Sequence, residues 1–392
     1  MDCLIQIYSE DKISNLLSIL VFRPRKVVVL YSGNFNQLKE IELLAGACLR
    51  KIPDLKFEYK HFENTNVDKV VKVFSEIIHK NPNCYLNITG ASELGAIGAY
   101  LSCVKNFVPI FKLKISENKF INIKGLNSLD NREIPNILTM EPLLLANGAI
   151  INLSLHPSPR ECMYDEILDF CPVIFKNIED WKKLCYYIQT GLNHYPQTTN
   201  INVFWAPKEI KNTKKETIFC SEYILKKATE LKLINNLDIC DDTVSFDFKN
   251  DLYRKYFADF GSWLEIYCFI KLSQSKVFRD VRLSLKIGWI KQTFGFEGIV
   301  NEIDICFFYK NTPCFLSCKI AEPTVVSLEE LSMYSTYFGG KYSKVILVTL
   351  SKIEKSESKL YKRADSMGIL LIDGKDLESD NFLELIEKNL GN

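Results

Sequence analysis

The chain has 392 residues and almost no net charge: 49 lysines and arginines face 48 acids, for a formal charge of +1. A global positive field that would advertise a nucleic-acid partner is absent, so any such binding has to be local. Histidine is scarce, four residues in all, and none sits at HxH or HxxxH spacing, which argues against a histidine-built metal centre. No apolar run approaches the roughly 20 residues that a membrane-spanning helix needs. Around Asp2, Glu10, Asp11 and Lys12 no secretory signal is visible. Low-complexity tracts and internal repeats are lacking. Neither GxGxxG nor GxxxxGK[ST] occurs, so a dinucleotide cofactor and a P-loop are unsupported. The thirteen cysteines are scattered with no CxxC pair. Such spacing fits neither a disulfide framework nor a zinc site, and points to reduced thiols used as small apolar residues in a cytoplasm. The expectation is a soluble cytoplasmic protein with no membrane partner.

What is present is a long, ordinarily globular chain, 47% hydrophobic and 25% charged, whose length favours two or three domains. The first third alternates strand and helix. Its first strand is read at Lys26–Tyr31, followed by a helix from about Gln37 to Lys51, a strand at Leu55–Lys60, a helix at Val67–Lys80, a strand at Cys84–Ile88 and a small-residue helix at Glu93–Val104. That rhythm predicts βαβ units and a doubly wound parallel sheet, with an added hairpin at Val108–Ile115 and Phe120–Lys124. Residues 1–145 form this domain, 146–235 a mainly helical connector with polar interruptions at 156–159 and 196–200, and 236–392 a second α/β domain. In that domain a helix runs through Trp263, itself expected in the core, and strands are read at Val281–Trp289, Ile299–Tyr309, Cys314–Ile320, Lys344–Leu350 and Ile369–Ile372.

The stretch richest in chemistry is Asn301-Glu302-Ile303-Asp304-Ile305, followed after a short hairpin by Phe315-Leu316-Ser317-Cys318-Lys319-Ile320. Residues two apart on a strand share a face. Glu302 and Asp304 therefore fall together, as do Ser317 and Lys319, while Ile303, Ile305, Leu316 and Cys318 are expected on the opposite, buried face. Carboxylates that hold a divalent metal, with a lysine beside them, are the apparatus for cleaving a phosphodiester.

The series of Glu265 on a helix, Asp304 on a strand and Lys319 on the adjoining strand resembles the PD-(D/E)xK restriction-endonuclease-like superfamily, over about residues 235 to 392. The resemblance implies Mn²⁺ or Mg²⁺ held by Glu265, Asp304 and the main-chain oxygen of Cys318, with Glu302, Asp304 and Lys319 catalytic. Ser317 stands where the superfamily usually has an acid, and Glu302 is the natural substitute. Tyr334, Tyr337, Tyr342 and Lys341 are either a stacking surface for single-stranded nucleic acid or ordinary packing beside Gly339-Gly340.

In the N-terminal domain, strands end at Ser32-Gly33-Asn34 and at Thr89-Gly90-Ala91-Ser92, the edge where doubly wound folds take ligands. Asn87-Ile88-Thr89-Gly90-Ala91-Ser92 before a small-residue helix resembles the nucleotide-sensing turn of CRISPR-associated Rossmann-fold (CARF) domains. The order of sensor, connector and nuclease-like domain resembles the CRISPR ancillary nucleases switched on by cyclic oligoadenylate. That resemblance implies a homodimer, cyclic tetra-adenylate as activator contacting Ser32, Gly33, Asn34, Thr89, Gly90 and Ser92, and single-stranded RNA or DNA as substrate, with nicking of duplex DNA in some members. Two alternatives stay open: a sensor whose nuclease domain has become a nucleic-acid-binding or regulatory module, which Ser317 favours, and a ligand-independent restriction or repair nuclease with an unrelated α/β domain.

Overall fold

A computed structural model describes residues 2–33, 35–152, 158–195, 202–211, 217–290 and 300–391. Asn34, the polar stretches at 156–157 and 196–200, and Ile299 lie outside the described residues. The chain opens with β1 (Cys3–Ile7), α1 (Lys12–Phe22), β2 (Lys26–Tyr31), α2 (Phe35–Lys51), β3 (Lys56–His61), α3 (Val67–Lys80), β4 (Cys84–Asn87), α4 (Glu93–Asn106), β5 (Ile110–Lys114) and β6 (Lys119–Lys124). These strands form one sheet in the order β3-β2-β1-β4-β5-β6, parallel except for the β5–β6 hairpin.

The strand expected to be first is thus the second. Cys3–Ile7 precedes it and lies in the middle of the sheet, with all five residues buried. Five residues without alternation carry little signal; their one polar member, Gln6, is half satisfied inside, its Oε1 accepting from Ser18 Oγ at 2.8 Å while its Nε2 is buried without a partner. Helix α3 follows its spacing: Val70, Phe74, Ile77 and Ile78 are buried, and Asn66 caps it by accepting from the Asp68 N–H.

The chain continues through α5 (Met140–Ala146), β7 (Ala149–Asn152), α6 (Tyr164–Lys176), α7 (Ile178–His194), β8 (Val203–Pro207), β9 (Glu209–Lys211), β10 (Thr217–Phe219), α8 (Glu222–Glu230), β11 (Ile234–Ile239) and β12 (Thr243–Phe248). Four strands, β7 to β10, therefore lie within the stretch expected to be mainly helical. Strand β8 joins β12 and β11 in a three-stranded antiparallel sheet, and β7 pairs with a strand far along the chain.

Last come α9 (Asp251–Phe257), α10 (Ser262–Gln274), β13 (Phe278–Trp289), β14 (Val300–Tyr309), β15 (Thr312–Lys319), α11 (Val325–Tyr334), β16 (Lys344–Thr349), α12 (Lys359–Ser366), β17 (Ile369–Ile372), α13 (Gly374–Glu378) and α14 (Phe382–Gly391). The second large sheet runs β17-β16-β15-β14-β13-β7. Its β13, β14 and β15 are antiparallel, and β15, β16 and β17 parallel.

The second sheet separates two cores. One holds α10, α6, α7 and the small sheet; the other holds α11, and it is continuous with α1, α2 and α5 beneath the parallel sheet. Helix α10 is apolar nearly all round, and Trp263 is fully buried as expected. Buried asparagines add directionality between the sheets: Asn311 Nδ2 donates to Asn118 Oδ1 at 2.8 Å and to Pro135 O at 3.0 Å, while its Oδ1 accepts from the Ile137 and Leu138 N–H groups. All thirteen cysteines are free and nine are buried.

Candidate functional site

Two places converge chemistry. The first lies where β13, β14 and β15 depart from a regular pleat. Leu283 and Leu285, two apart on β13, enter opposite cores, and so do Ile305 and Ile303 on β14. A regular strand would put each pair on one face. The interruption falls between the register pairs Leu283↔Ile305 and Leu285↔Ile303, at the level of Ser284, whose φ is +48°, and of Asp304. Ile303 consequently does not share a face with Ile305 and Leu316, contrary to the alternation rule.

The β14–β15 ladder ends at Ile305↔Leu316. Beyond it the Asp304 carboxylate takes the place of a backbone partner: Oδ2 accepts from the Cys318 N–H at 2.8 Å and from Ser317 Oγ at 3.0 Å. Glu265, the acid of α10, accepts from Ser284 Oγ at 3.4 Å. Its carboxyl is pushed up to about 8, first by burial and then by the charges of Asp304, Asp259 and Glu302. Asp304 is also raised, chiefly by burial, against the Cys318 and Ser317 hydrogen bonds and the Lys319 charge, which pull it down.

Glu302 is exposed and 3.8 Å from Lys286 Nζ. Its main-chain oxygen accepts from the Tyr334 hydroxyl at 2.8 Å, and that phenol is pushed up to about 12 by burial and by the nearby acids, Asp304 foremost. The Cys318 thiol is raised by burial and by its contact with Cys268. Glu265, Glu302, Asp304, Ser317, Cys318 and Lys319 are therefore gathered at one end of the sheet. Among the described residues, however, no group of three or more His, Cys, Asp or Glu side chains is placed to hold a metal ion.

The second place is a cavity of about 550 Å³ at the carboxyl edge of the parallel sheet. Strand order puts it at the switch point: the chain winds outward from β1 through β2 to β3, then returns to β4 on the other side of β1. Its lining includes Ser32, Gly90 and Ser92. Gly90 has φ +76°, and a Cβ there would stand 2.4 Å from Ser9 Cβ, so the ends of β1 and β4 meet only because that residue is glycine. Ser92 caps α4 by accepting from the Gly95 N–H at 3.2 Å, which leaves a helix N-terminus at the cavity wall. The Gly33 N–H is taken by Gln37 Oε1 at 2.8 Å.

Thr89 is placed differently. It is 3% exposed, its hydroxyl donates to Asn87 Oδ1, and it accepts from the Leu113 N–H at 2.7 Å. Thr89 thus ties β4 to β5 from inside rather than facing the cavity, because both its polar capacities are spent on the sheet.

Sequence reasoning did not assign to this cavity Ser9, Glu10, Asp11 and Asn64, which also line it, nor Thr336, Gly340 and Lys341, which reach it from the other domain; Lys341 was read instead beside the tyrosines as either a nucleic-acid surface or ordinary packing. The apolar Cys3–Ile7 followed by Ser-Glu-Asp was the available signal for the first group. Nothing local signals the second. Beside the cavity, Tyr8, Lys12 and Glu40 form a hydrogen-bonded trio, with Lys12 Nζ 2.7 Å from Glu40. Burial lowers the Lys12 amine against the pull of Glu40.

No family model matches the chain, and no curated protein matches it in sequence. Solved structures do match along its whole length. Can2 from Sulfobacillus thermosulfidooxidans, in complex with cyclic tetra-adenylate, has 15% identity and a TM-score of 0.68, over 100% of this chain and 99% of that one. Protein VC1899 from Vibrio cholerae has 14% identity and a TM-score of 0.76, over 99% and 98%. A type III CRISPR defence DNA nuclease activated by cyclic oligoadenylate has 13% identity and a TM-score of 0.55, over 97% of this chain and 51% of that one. At 13–15% identity the likeness is one of fold.

Proposed function

We propose that this chain is a metal-dependent endonuclease switched on by a cyclic oligoadenylate, with cyclic tetra-adenylate as the ring, acting on single-stranded RNA or DNA in type III CRISPR antiviral defence. The observation that carries the reading is the pairing of a polar cavity at a sheet switch point with a half-buried acid pair, Asp304 on a second sheet that shares its core and Glu265 on helix α10. The cyclic tetra-adenylate bound to Can2 and the activator named for the CRISPR nuclease support the choice of ligand.

Both carboxyls are raised chiefly by burial, Glu265 also by the Asp304 charge, and two half-buried carboxylates in that state suit a hard divalent cation. They would hold Mn²⁺ or Mg²⁺ with the main-chain oxygen of Cys318, and Glu302 is the further acid available beside neutral Ser317. The ion when bound would supply charge neutralisation at the phosphate and a more acidic water. Cys318 N–H and Ser317 Oγ fix the Asp304 carboxylate, and Lys319 brings a cation to the end of the sheet where the phosphate is to sit.

A homodimer fits the surface of α4. Ile97 is 51% exposed, Leu101 47% and Phe107, just past the helix, 87%. Pairing two copies along this helix, whose cap Ser92 lines the cavity, would bring two cavities side by side for a ring of matching two-fold symmetry.

The test is cleavage of single-stranded DNA and RNA with Mn²⁺ or Mg²⁺, with and without cyclic tri-, tetra- and hexa-adenylate, alongside thermal shift with each ring. Ring-dependent cleavage supports the reading. A ring that stabilises the protein without cleavage under either metal favours the regulatory module, for which Ser317 is the motive. Cleavage indifferent to every ring favours a ligand-independent nuclease.

A further inference from the structure

Of the residues that line the cavity, Lys341 is the one basic side chain among the described residues, and it comes from the domain of the second sheet. Two carboxylates, Glu10 and Asp11, line the same space. Asp11 caps α1 through the Ile13 N–H, and the Lys341 charge acts on its carboxylate. Gly340, with φ +58°, brings the segment against the sensor: a Cβ there would lie 3.6 Å from Asp11 Oδ1. A polyanionic ring entering this cavity meets two acids and, without Lys341, no lining cation among the described residues to offset them.

The same segment begins at the acid strand. Tyr334, the last residue of α11, donates to the main-chain oxygen of Glu302, two residues from Asp304. From there the helix widens into a π-helical turn over Ser335–Gly339, a form that inserts a residue without breaking the helix and recurs at functional sites. The turn is fastened on both sides. Ser335 Oγ and Ser343 Oγ are 2.7 Å apart, Ser343 Oγ donates to Gly340 O at 2.8 Å, and Asn147 Nδ2 donates to Phe338 O at 3.3 Å. The buried Phe338 ring stacks on Trp289 at 5.3 Å. Eight residues thus connect a cavity wall to the strand that carries Asp304.

We infer that Lys341 is a ligand-contacting residue of the sensor cavity supplied by the nuclease-like domain, and that residues 334–341 convey occupancy of the cavity to the acid strand through the Tyr334–Glu302 bond. The inference rests on the proposed function and specifies its regulation. A phosphate of the ring pairs with Lys341, which makes the ring bind more tightly when the segment lies against the cavity; that difference is what allosteric control requires. Tyr334 acts as a positioning residue: it holds the main chain of Glu302 while the other end of the segment is held by ligand.

The experiment compares full-length wild type with Lys341→Ala, Lys341→Arg and Tyr334→Phe. Calorimetry gives the Kd for cyclic tetra-adenylate, and cleavage of a fluorescent single-stranded DNA with Mn²⁺ gives kcat and KM at saturating ring. Loss of a charge-assisted contact weakens ring binding about ten- to a hundredfold in Lys341→Ala, and Lys341→Arg restores most of it. Tyr334→Phe keeps Kd and KM within about twofold, while kcat falls about tenfold, the effect of one lost hydrogen bond. Lys341→Ala that binds and responds as wild type does overturns the inference alone. Tyr334→Phe that loses ring binding and cleavage together, or retains full kcat, overturns the transmission step. Wild type that neither binds the ring nor cleaves overturns the functional reading, and this inference with it.

Discussion

The acid site and the ring cavity are built from opposite materials. The acid site is local in sequence: Asp304, Ser317, Cys318 and Lys319 occupy two neighbouring strands, and only Glu265 is brought from a helix. The cavity takes residues from the ends of four parallel strands and from a turn of the other domain. One is an interruption in a pleat, fixed by side-chain hydrogen bonds; the other is a gap left by topology, lined largely by turns. The contrast teaches that substitutions in the first should act on chemistry with little effect on ring binding, whereas substitutions in the second should act on binding.

The largest expected effect follows from that division. Asp304→Ala removes the carboxylate that accepts from Cys318 and Ser317 and one of the two half-buried acids, so cleavage should fall by about a thousandfold or more. The Kd for cyclic tetra-adenylate, measured by calorimetry, should stay within about twofold of wild type. Retained cleavage would remove Asp304 from the metal site, and a large change in Kd would break the separation of the two sites.

Next in size is a pH effect confined to the acid site. Glu265 has its carboxyl raised from 4.5 to about 8 in the folded protein. Between those values the folded state binds more protons than the unfolded state, so stability falls as pH rises through the window, by at most about 1.4 kcal/mol per pH unit. Urea melts of metal-free protein at pH about 5, 6.5 and 8 should show that slope in wild type and a flatter one in Glu265→Gln. Mn²⁺ should flatten it as well, because a bound cation favours the ionised carboxylate. Equal slopes in wild type and variant would show that Glu265 is not the group responsible.

Legibility in the sequence follows the same division. The helices at Val67–Lys80 and Ser262–Gln274 and the strands around Asp304 and Lys344 were readable because period and composition agree locally. The central strand Cys3–Ile7 was not, since five buried residues show no alternation. Nor did β7 announce that it pairs with β13, because a partner some 130 residues away leaves no local trace. Glu302 and Asp304 were singled out from strand spacing, yet the flip that parts Ile303 from Ile305 lies level with Ser284, whose φ is +48°, across the strand pair. Thr89 shows the limit from the other side: a hydroxyl at a strand end suggests a ligand, and only the Leu113 N–H of β5 that donates to it reveals a structural role.

For the cavity, Gly90→Ala is the most severe small change. It adds a Cβ 2.4 Å from Ser9 at a φ of +76°, at a cost of about 1–3 kcal/mol, and displaces a lining residue. Ring affinity should drop about tenfold, with kcat at saturating ring close to wild type. A variant that binds normally would show that the close approach of β1 and β4 is not needed for the ring.

The finest test divides two neighbours. Thr89→Val leaves the Leu113 N–H without its acceptor inside the sheet, so it should cost about 1–3 kcal/mol of stability and leave the Kd of the folded protein unchanged. Ser92→Ala removes the α4 cap, worth about 1 kcal/mol, and also removes a hydroxyl from the cavity wall, so it should weaken the ring a few-fold. Denaturant melts and calorimetry on the two variants should therefore rank them in opposite orders. If Thr89→Val weakens the ring more than Ser92→Ala does, the β4 turn is read by the ligand from the inside, and the line drawn between cavity wall and sheet support at Thr89 is in the wrong place.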